Sequence, residues 1–439
     1  MKFGGTSLRN AQCIRNVTEI IQSYLQQKPI VVVSAITKVT DALISLAHEV
    51  AQGKGDEILS KVKEVHEEIL EELQLPSSLL EKEFEELASL IKKTKQNKNL
   101  TLQLLDHFQS YGERFSSRIA AAELQKRGTN VKAYDAWEIG LITDAEYGNA
   151  EPLQESYLSI KKHILSLDTI PIITGFIGKA KTGEITTLGR GGSDYSAAII
   201  GNAVDAEEIQ IWTDVDGILS ADPKIILKVK TISEISFAEA SELAYFGAKV
   251  LHPKTILPAM QKNIPVRVLN SFAPEKKGTL ILKNPRNKTF KIKAIAVKKA
   301  ITLIDIESTK MLGAYGFLSR IFSIFNKYKK SVDVLATSEV SVSITIDNQV
   351  HLKEMQEELE KIGRVNIYHE QAIVCIVGEG MREALEVPGK AFTLLAKNKI
   401  RIDLISQGAS QVNITFLVEE KDVEKTMQLL HWLFIEKDK

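Results

Sequence analysis

The stretch IVVVSAI, residues 30–36, is apolar at almost every position and shows no alternation of polar residues. Such a run predicts a strand that is covered on both faces, as in a parallel sheet flanked by helices. Similar runs occur at 169–174 (TIPIIT), 209–212 (IQIW) and 265–269 (PVRVL), and helical stretches such as 197–204 and 237–248 accompany them. This alternation predicts a doubly wound α/β domain over residues 1–285.

The charged region from Asp56 to Arg127 lies inside this predicted domain. Its pattern is helical and is broken at Leu75-Pro76-Ser77-Ser78, which predicts a helical hairpin. The charge runs predict solvated helix faces.

The bulk composition is that of an ordinary globular protein and excludes several classes of protein. A chain of 439 residues predicts two or three domains. The 56 basic and 56 acidic residues balance, so the sequence carries no electrostatic footprint for nucleic acid. Cys13 and Cys375 indicate neither a disulfide framework nor a metal cluster. No apolar run reaches membrane-spanning length and no signal-peptide pattern is present, so we expect a cytoplasmic protein without membrane partners.

After 284–287 (NPRN) the sequence pattern changes, because two segments that resemble each other follow in succession. SVDVL at 331–335 matches RIDLI at 401–405, and VSITI at 342–346 matches VNITF at 412–416, both at a spacing of 70. A helical stretch precedes each copy. The pattern predicts two βαββαβ modules, over 286–365 and 366–439, which can be interleaved. Because neither copy carries catalytic-looking residues, we expect a binding or pairing function for them.

Two glycine-rich stretches are candidate anion sites. In KFGGTS (2–7), Lys2 stands beside Gly4 and Gly5, whose backbone N–H groups can approach a phosphate. The alternative is a frayed N-terminus with a turn. In TTLGRGGSDYSA (186–197), Arg190 lies among glycines before a predicted Ala-rich helix. The guanidinium of Arg190 can donate two parallel hydrogen bonds to a carboxylate. We expect Ser193 or Asp194 to cap that helix, and an ordinary turn and cap is the alternative.

Several named motifs are absent from the sequence. The second glycine stretch lacks the third glycine of a dinucleotide fingerprint, since Asp194 stands there, and no Gly-Lys-Ser/Thr has P-loop spacing. DVDG at 214–217 resembles the start of a calcium-binding loop. The later ligand positions of such a loop fall on Ile218 and Ile225, whose side chains cannot bind calcium. No HExxH zinc motif occurs, and we expect the eight histidines to be surface or packing residues.

Four ordered motifs carry a resemblance to a known family: KFGGTS, TTLGRGGSDYSA, WTDVDGILSADP (212–223) and FGAKVLHP (246–253). Together they resemble the aspartate kinases, and the C-terminal repeats resemble their paired ACT domains. The resemblance implies the amino-acid-kinase fold, an open and mainly parallel sheet with helices on both faces, followed by two ferredoxin-like ACT domains. It also implies ATP-dependent phosphorylation of the L-aspartate side chain to 4-phospho-L-aspartate. That reaction is the first step towards lysine (through diaminopimelate), threonine and methionine.

The resemblance also implies roles for individual residues. A carboxylate nucleophile needs no general base, so catalysis reduces to holding two anions together and neutralising the moving phosphoryl group. Mg²⁺ carried by ATP is the implied cofactor, with no direct protein ligand. The implied catalytic residues are Lys2, Asp194 and Lys249. The implied ATP-binding residues are Lys2, Phe3, Gly4, Gly5, Thr213, Asp214, Leu219, Lys224, Lys249 and Val250. For aspartate, Arg190 holds the α-carboxylate, Glu113 the α-ammonium, and Thr40 and Ser193 complete the pocket.

Two of these residues, Glu113 and Thr40, also have an interpretation without a role in substrate binding. Without the resemblance, Glu113 would be interpreted as an exposed helix acid. Thr40 can equally be a helix cap before Asp41-Ala42-Leu43, and both roles can coexist.

The regulatory half resembles the lysine-inhibited, single-activity members of the family, so we expect no attached homoserine dehydrogenase. The implied partners are L-lysine as inhibitor and a second copy of the chain, in a homodimer or dimer of dimers formed through the ACT domains. Asp333 is expected to pair with an ammonium; the alternative is that Asp333 and Asp403 are turn residues shared by the repeats. The implied effector residues are Met311, Ala314, Phe317, Leu318, Ser331, Val332, Asp333, Ser338 and Glu339.

Two rival functions remain at this point. One is another amino-acid-kinase enzyme that uses glutamate, carbamate or a nucleotide as acceptor. The other is a catalytically silent amino-acid sensor that keeps only the ACT pair.

Overall fold

The computed structural model describes residues 1–247, 251, 253–285, 292–313, 315–381, 383–407 and 412–437. Its strands are β1 (Lys2–Phe3), β2 (Val31–Val33), β3 (Val131–Tyr134), β4 (Ile142–Thr143), β5 (Ile170–Thr174), β6 (Ile177–Ala180), β7 (Ile185–Thr187), β8 (Ile209–Thr213), β9 (Glu234–Ser236), β10 (Val266–Asn270), β11 (Thr279–Leu282), β12 (Ala294–Glu307), β13 (Leu335–Thr337), β14 (Ser341–Ile346), β15 (Arg364–Val377), β16 (Leu404–Ser406) and β17 (Asn413–Glu419).

Its α-helices are α1 (Ala11–Ser23), α2 (Val39–Ala51), α3 (Asp56–Glu72), α4 (Glu81–Asn97), α5 (Leu102–Lys126), α6 (Gln154–Leu165), α7 (Gly192–Ala203), α8 (Phe237–Phe246), α9 (Pro253–Lys262), α10 (Phe317–Lys327), α11 (Leu352–Leu359), α12 (Glu386–Lys397) and α13 (Val423–His431). Short 3₁₀ turns lie at Gly5–Leu8, Leu25–Gln27, Ser77–Leu80, Thr309–Met311 and Glu420–Asp422, and a π turn lies at Trp432–Glu436.

The chain forms two compact units. The first comprises Met1–Ile218, Ser233–Phe237 and Val250–Pro285, and the second comprises Leu219–Ile232, Ala238–Lys249 and Arg286–Lys439. The domain limits expected from the sequence, at residues 285 and 365, stay predictions.

The first unit is built on an eight-stranded sheet of order β3-β5-β2-β1-β8-β10-β11-β9. Every neighbouring pair is parallel except β10 and β11. The predicted strands at β5, β8 and β10 are confirmed within one residue at either end. The predicted strand at 30–36 is shorter, because only Val31–Val33 pairs in the sheet and the following residues leave it.

Two groups of helices cover this sheet. Helix α2 contacts α3, α4 and α5, and α4 also contacts α5, while α7 contacts both α6 and α9. Helices α5 and α7 each touch β2, and all three residues of β2 are buried. Burial on both faces explains the unbroken apolar run, because a strand with helices on either side has no solvent face. The predicted mainly parallel α/β sheet is confirmed.

The predicted break at 75–78 and the solvated charge runs are confirmed for 56–97, where most charged residues of α3 and α4 are exposed, but the prediction is wrong for the remainder of 56–127. The region forms three helices, and the third, α5, is 25 residues long and largely buried. Its charges are tolerated because they are paired: Arg114 lies 2.6 Å from Glu86, and Arg118 lies 2.5 Å from Asp135. Charge count alone misled the prediction, since a buried ion pair and a solvated charge run have the same composition.

The second unit contains a six-stranded antiparallel sheet of order β13-β14-β12-β15-β17-β16. The first repeat uses the end of β12, then α10, β13, β14, α11 and the start of β15. The second repeat uses the end of β15, then α12, β16, β17 and α13. Its sixth strand is the start of β12, where Ala294 pairs with Val377, so this strand precedes the first repeat in sequence.

The spacing of 70 holds for only part of the repeat. Leu335 pairs with Ile344, and its counterpart Ile405 pairs with Phe416, so the second strand of the hairpin is offset by 72 (416 minus 344). The match of 342–346 with 412–416 is therefore wrong by two residues. It was plausible because a shift of two keeps every side chain on the same face of a strand.

Within the described residues, no helix is long and apolar enough to cross a bilayer.

Candidate active site

A cavity of about 470 Å³ opens in the first unit, beside the carboxyl ends of β1 and β2. Ligands of open α/β sheets bind at this edge, where neighbouring connections leave in opposite directions. Six of the predicted residues line it: Lys2, Thr40, Glu113, Arg190, Ser193 and Asp194. The other lining residues are Ser34, Ala35, Gln109, Gly148, Phe176, Thr187, Gly189, Gly191 and Gly192.

The N-terminal glycine pair forms the turn after the central strand β1. A Cβ atom at Gly5 would lie 2.7 Å from the Ala35 carbonyl oxygen, so only glycine fits there. The Gly4 N–H donates to the Trp212 carbonyl oxygen at 3.1 Å. The expectation that both amides are free for a phosphate is therefore wrong for Gly4, and the N–H of Gly5 is the one that stays available.

The ammonium of Lys2 forms an ion pair with Asp194 across the cavity wall. Lys2 Nζ lies 2.7 Å from Asp194 Oδ1, and the two side chains are only 10% and 13% exposed. Lys2 is held by β1, which pairs with β2 and β8, whereas Asp194 belongs to the first turn of α7. The pair thus fixes a cation beside the glycine turn, in a place shielded from solvent.

The start of α7 differs from the sequence prediction. Gly191 is the N-cap, with φ at +69°, and no side chain caps the helix, so the cap assigned to Ser193 or Asp194 is wrong. Both residues lie in the first turn, where backbone N–H groups have no intrahelical acceptor. Arg190 precedes the cap and lines the cavity, and no ion pair to it is found among the described residues. This leaves a guanidinium and a helix N-terminus together, which suits an anion.

Glu113 lies on α5, lines the same cavity and is 3% exposed, so the alternative of an exposed helix acid is excluded. Its Oε1 accepts a hydrogen bond from the Ala35 N–H at 3.0 Å, whereas Oε2 is buried and has no partner. Burial raises the pKa of Glu113 to about 8, and the nearby charge of Lys2 opposes part of that rise. A buried carboxylate oxygen without a partner is costly unless a donor reaches it, which a substrate ammonium can do.

Thr40 reaches the cavity from α2, but it does not cap that helix. The N-cap is Lys38, with φ at +68°, and Thr40 is the second residue of the helix. A Cβ atom at Gly112 would lie 2.7 Å from the Ala35 Cβ and 3.7 Å from Thr40 Oγ1. The glycine therefore lets α5 approach the segment that carries Thr40.

Gln109 is a lining residue that the sequence reasoning missed. It lies one turn before Glu113 on α5, and positions i and i+4 share a helix face. That spacing was the available signal, but it is readable only once Glu113 is known to face a cavity.

The residues predicted to hold the nucleotide are distributed over both units. Thr213 ends β8 beside the glycine turn, and its hydroxyl lies 3.2 Å from Asp214 Oδ1. The Phe3 ring is buried against Trp212 and so faces the core. Leu219 and Lys224 belong to the second unit, while Lys249 and Val250 lie outside the described residues.

No group of three or more His, Cys, Asp or Glu side chains is arranged to hold a metal ion in the parts of the chain that the structure describes.

The predicted effector residues lie in the second unit. The side chain of Asp333 is 1% exposed, and its Oδ1 lies 2.7 Å from Lys298 Nζ and 2.6 Å from the Tyr245 hydroxyl. Its Oδ2 is buried without a partner. The repeat-equivalent Asp403 pairs with Arg401 at 2.6 Å. Both aspartates thus stand in equivalent places, but the buried orphan oxygen belongs to Asp333.

Three of the remaining effector residues belong to one small core or pack against it. Met311 and Val332 pack against the cluster that contains Phe317, which begins α10. The Ser338 hydroxyl lies 2.7 Å from that of Ser341 in the hairpin between β13 and β14. Leu318, Ser331 and Glu339 are exposed, and Ala314 lies outside the described residues.

Comparisons with known proteins bear on the whole chain. A family model described as "Amino acid kinase family" matches residues 1–270, and one described as "ACT domain" matches residues 374–434. Aspartokinase 1, chloroplastic, of Arabidopsis thaliana is 42% identical over 99% of this chain and 80% of its own length. E. coli aspartokinase III in complex with aspartate and ADP (R-state) superposes with a TM-score of 0.83, at 34% identity over 98% of both chains. The same enzyme in complex with lysine and aspartate (T-state) gives 0.81, at 33% identity over 99% of this chain and 98% of that one.

Proposed function

The chain belongs to the aspartokinases of the amino acid kinase family, and on that premise we propose how its residues perform the reaction. The enzyme transfers the γ-phosphoryl group of ATP to the side-chain carboxylate of L-aspartate. A carboxylate oxygen bonds to the γ-phosphorus while the bond between that phosphorus and the β,γ-bridging oxygen breaks. The products are 4-phospho-L-aspartate and ADP.

The observation that carries the residue assignment is that Glu113 and Arg190 line one and the same cavity. The orphan Oε2 of Glu113 offers an acceptor for the α-ammonium, and the guanidinium of Arg190 offers a fork for the α-carboxylate. Thr40 and Ser193 add hydroxyl groups to the lining of the same cavity. An α-amino acid satisfies both charged groups at once, and its side chain is then free to point towards the phosphoryl donor.

The ion pair of Lys2 and Asp194 provides the charge for the transfer itself. As the phosphoryl group moves, negative charge spreads over its oxygen atoms, and a fixed, shielded ammonium stabilises that charge without reorganising. Asp194 keeps the ammonium in place when the phosphates are absent. The Gly5 N–H, and Thr213 and Asp214 beside it, are proposed to contact the nucleotide, together with Lys249 and Val250. The proposed roles of Phe3, Leu219 and Lys224 at the nucleotide rest on the family resemblance.

Mg²⁺ fits this site as a companion of ATP, because the described residues offer isolated carboxylates such as Asp214 and no ligand cage. When bound, the ion neutralises charge on the nucleotide phosphates.

L-lysine is the proposed inhibitor, and its ammonium is proposed to bind the buried carboxylate of Asp333. Helix α10 begins without a side-chain cap, so its first N–H groups can receive a carboxylate. We further propose that two copies of the chain associate through the ACT repeats, as a homodimer or a dimer of dimers. The cytoplasmic location is retained as a proposal.

The test is an acyl-phosphate trapping assay with the purified chain. Enzyme, Mg-ATP and L-aspartate are incubated with hydroxylamine, and the hydroxamate is quantified with and without lysine or threonine. We expect hydroxamate from aspartate, none from L-glutamate, and suppression by lysine. Product from glutamate alone would favour the rival kinase, and no product from any amino acid together with lysine binding would favour the silent sensor.

A further inference from the structure

Asp106 lies behind the cavity lining and is hydrogen-bonded to two of the residues that line it, Gly148 and Thr187. Its side chain is buried on α5, where Oδ2 accepts hydrogen bonds from the Gly148 and Thr187 N–H groups, both at 2.9 Å. Its Oδ1 accepts the Thr187 hydroxyl at 2.8 Å. Three donors from two other segments therefore converge on one carboxylate, although Asp106 itself does not line the cavity.

The two walls joined by Asp106 carry the two groups that face the substrate. Glu113 follows Asp106 by seven residues on the same rigid helix, which is about two turns or 10 Å. Arg190 follows Thr187 by three residues, beyond the end of β7 and close to the start of α7. The separation of Glu113 and Arg190 therefore depends on how β7 packs on α5, and the Asp106 side chain adds two hydrogen bonds to Thr187 of β7 to that packing.

We propose that Asp106 is a positioning residue that sets the distance between the ammonium-binding and carboxylate-binding groups of the pocket. This inference rests on the proposed roles of Glu113 and Arg190. It makes Asp106 a determinant of amino-acid recognition, because a substrate with fixed spacing between its α-ammonium and α-carboxylate is bound well only by groups of matching spacing.

The test compares Asp106→Ala with Asp106→Asn in steady-state kinetics. Alanine removes all three acceptor contacts, and we expect the KM for aspartate to rise about 10- to 100-fold while the KM for ATP changes by less than about 3-fold. Asparagine keeps an oxygen for the two N–H groups and can donate to the threonine hydroxyl, so we expect near wild-type values. Thr187→Val removes only the hydrogen bond from the threonine hydroxyl, and it replaces the alanine variant in the test if that variant does not fold. We expect it to raise the KM for aspartate by about 3- to 10-fold.

A double-mutant cycle shows whether Asp106 acts through Arg190. In an Arg190→Lys background, Asp106→Ala should raise the KM for aspartate by less than about 3-fold, because the carboxylate-binding guanidinium that Asp106 positions is already missing. The control is Glu123→Gln, a buried carboxylate on the same helix that pairs with Arg127 and does not line the cavity. Its KM for aspartate should match the wild type.

Three outcomes would overturn the proposal. They are additive effects in the cycle, an equal rise in the KM for ATP, and failure of the asparagine variant to restore the aspartate KM. Arg190→Lys and Glu113→Gln are measured in the same series. If both left the aspartate KM unchanged, the assignment of the pocket would fall first, and the positioning role with it.

Discussion

Lys2 Nζ lies 2.7 Å from Asp194 Oδ1, and the pair joins the central strand β1 to the first turn of α7. Both side chains are largely shielded from water, so their attraction is stronger than that of a surface ion pair. The contact places a fixed positive charge at the one edge of the sheet where the glycine turn, the helix N-terminus and the cavity meet.

Removal of either partner of this pair should slow phosphoryl transfer more than it weakens substrate binding. We expect Lys2→Ala and Asp194→Ala to lower kcat by about 100-fold or more, with KM values changed by less than about 5-fold, because their charges act mainly in the transition state. Steady-state kinetics with both substrates measures the split. An unchanged kcat in either variant would remove that residue from the catalytic set.

Replacement of Arg190 should weaken aspartate binding and leave nucleotide binding unchanged. Arg190→Lys keeps the charge but loses the two-pronged hydrogen bond to a carboxylate. We expect the KM for aspartate to rise at least about 10-fold, with little change for ATP. A rise in the KM for ATP instead would make the second glycine stretch a nucleotide site and reverse the assignment.

Aspartate binding should release a proton from Glu113. Burial raises the pKa of this carboxyl to about 8, so at pH 7 it is mostly protonated in the free enzyme. An arriving ammonium favours the carboxylate, and we expect release of nearly one proton per aspartate at pH 7, falling to about half a proton at pH 8 and further above it. Calorimetry in two buffers of different ionisation enthalpy measures the number.

The matched control for this prediction is Glu113→Gln, which has no proton to release and should show no buffer dependence. Folding stability provides a second check with a defined sign. Because the folded pKa lies above the unfolded value, the stabilising contribution is complete below pH 4.5 and is lost as pH rises through about 8. Equal proton release from wild type and variant would contradict the role of Glu113.

Asp333 should determine lysine sensitivity without affecting basal activity. We expect Asp333→Ala to remain active and to need about 10- to 100-fold more lysine for half inhibition, since a charged hydrogen bond contributes about 1.5–3 kcal/mol. The repeat supplies the control: Asp403→Ala removes the equivalent aspartate and should leave inhibition unchanged. If millimolar lysine did not inhibit the wild-type enzyme, the assignment of lysine as the effector would be wrong.

His66 should make the protein sensitive to acid. Its ring is buried, Nδ1 lies 2.6 Å from the Val62 carbonyl oxygen, and Nε2 has no partner. Burial lowers the pKa of His66 to about 4, below its ordinary value of 6.5. Stability is therefore lost as pH falls from 6.5 to 4, by about 1.4 kcal/mol per pH unit within that window.

The variant His66→Leu removes this titration and packs against the same apolar neighbours, Phe84 and Phe115. We expect its Tm to exceed that of the wild type increasingly as pH falls below 6.5. Calorimetric scans between pH 4 and pH 7 measure the difference. Parallel Tm curves for the two proteins would show that His66 does not titrate on unfolding.

The sequence by itself determined the class of fold, the position of several buried strands and the chemistry of the glycine-rich stretches. Apolar runs such as 30–36 are readable because strand burial is local in sequence, and KFGGTS is readable because only glycine permits the close backbone approach at Gly5. The repeated hairpins were also visible, since their pattern of apolar residues keeps a period of two.

Only the tertiary structure decided which of these residues meet. Lys2 and Asp194 are 192 positions apart, and sheet pairing and helix packing bring them together. The burial of Glu113 and the convergence of Gly148 and Thr187 on Asp106 have the same origin. The cap of α7, the partner of the Gly4 N–H and the two-residue offset of the repeats were likewise beyond sequence reasoning. They depend on which donor or acceptor lies closest in space, and an amino-acid pattern specifies periodicity but not distance.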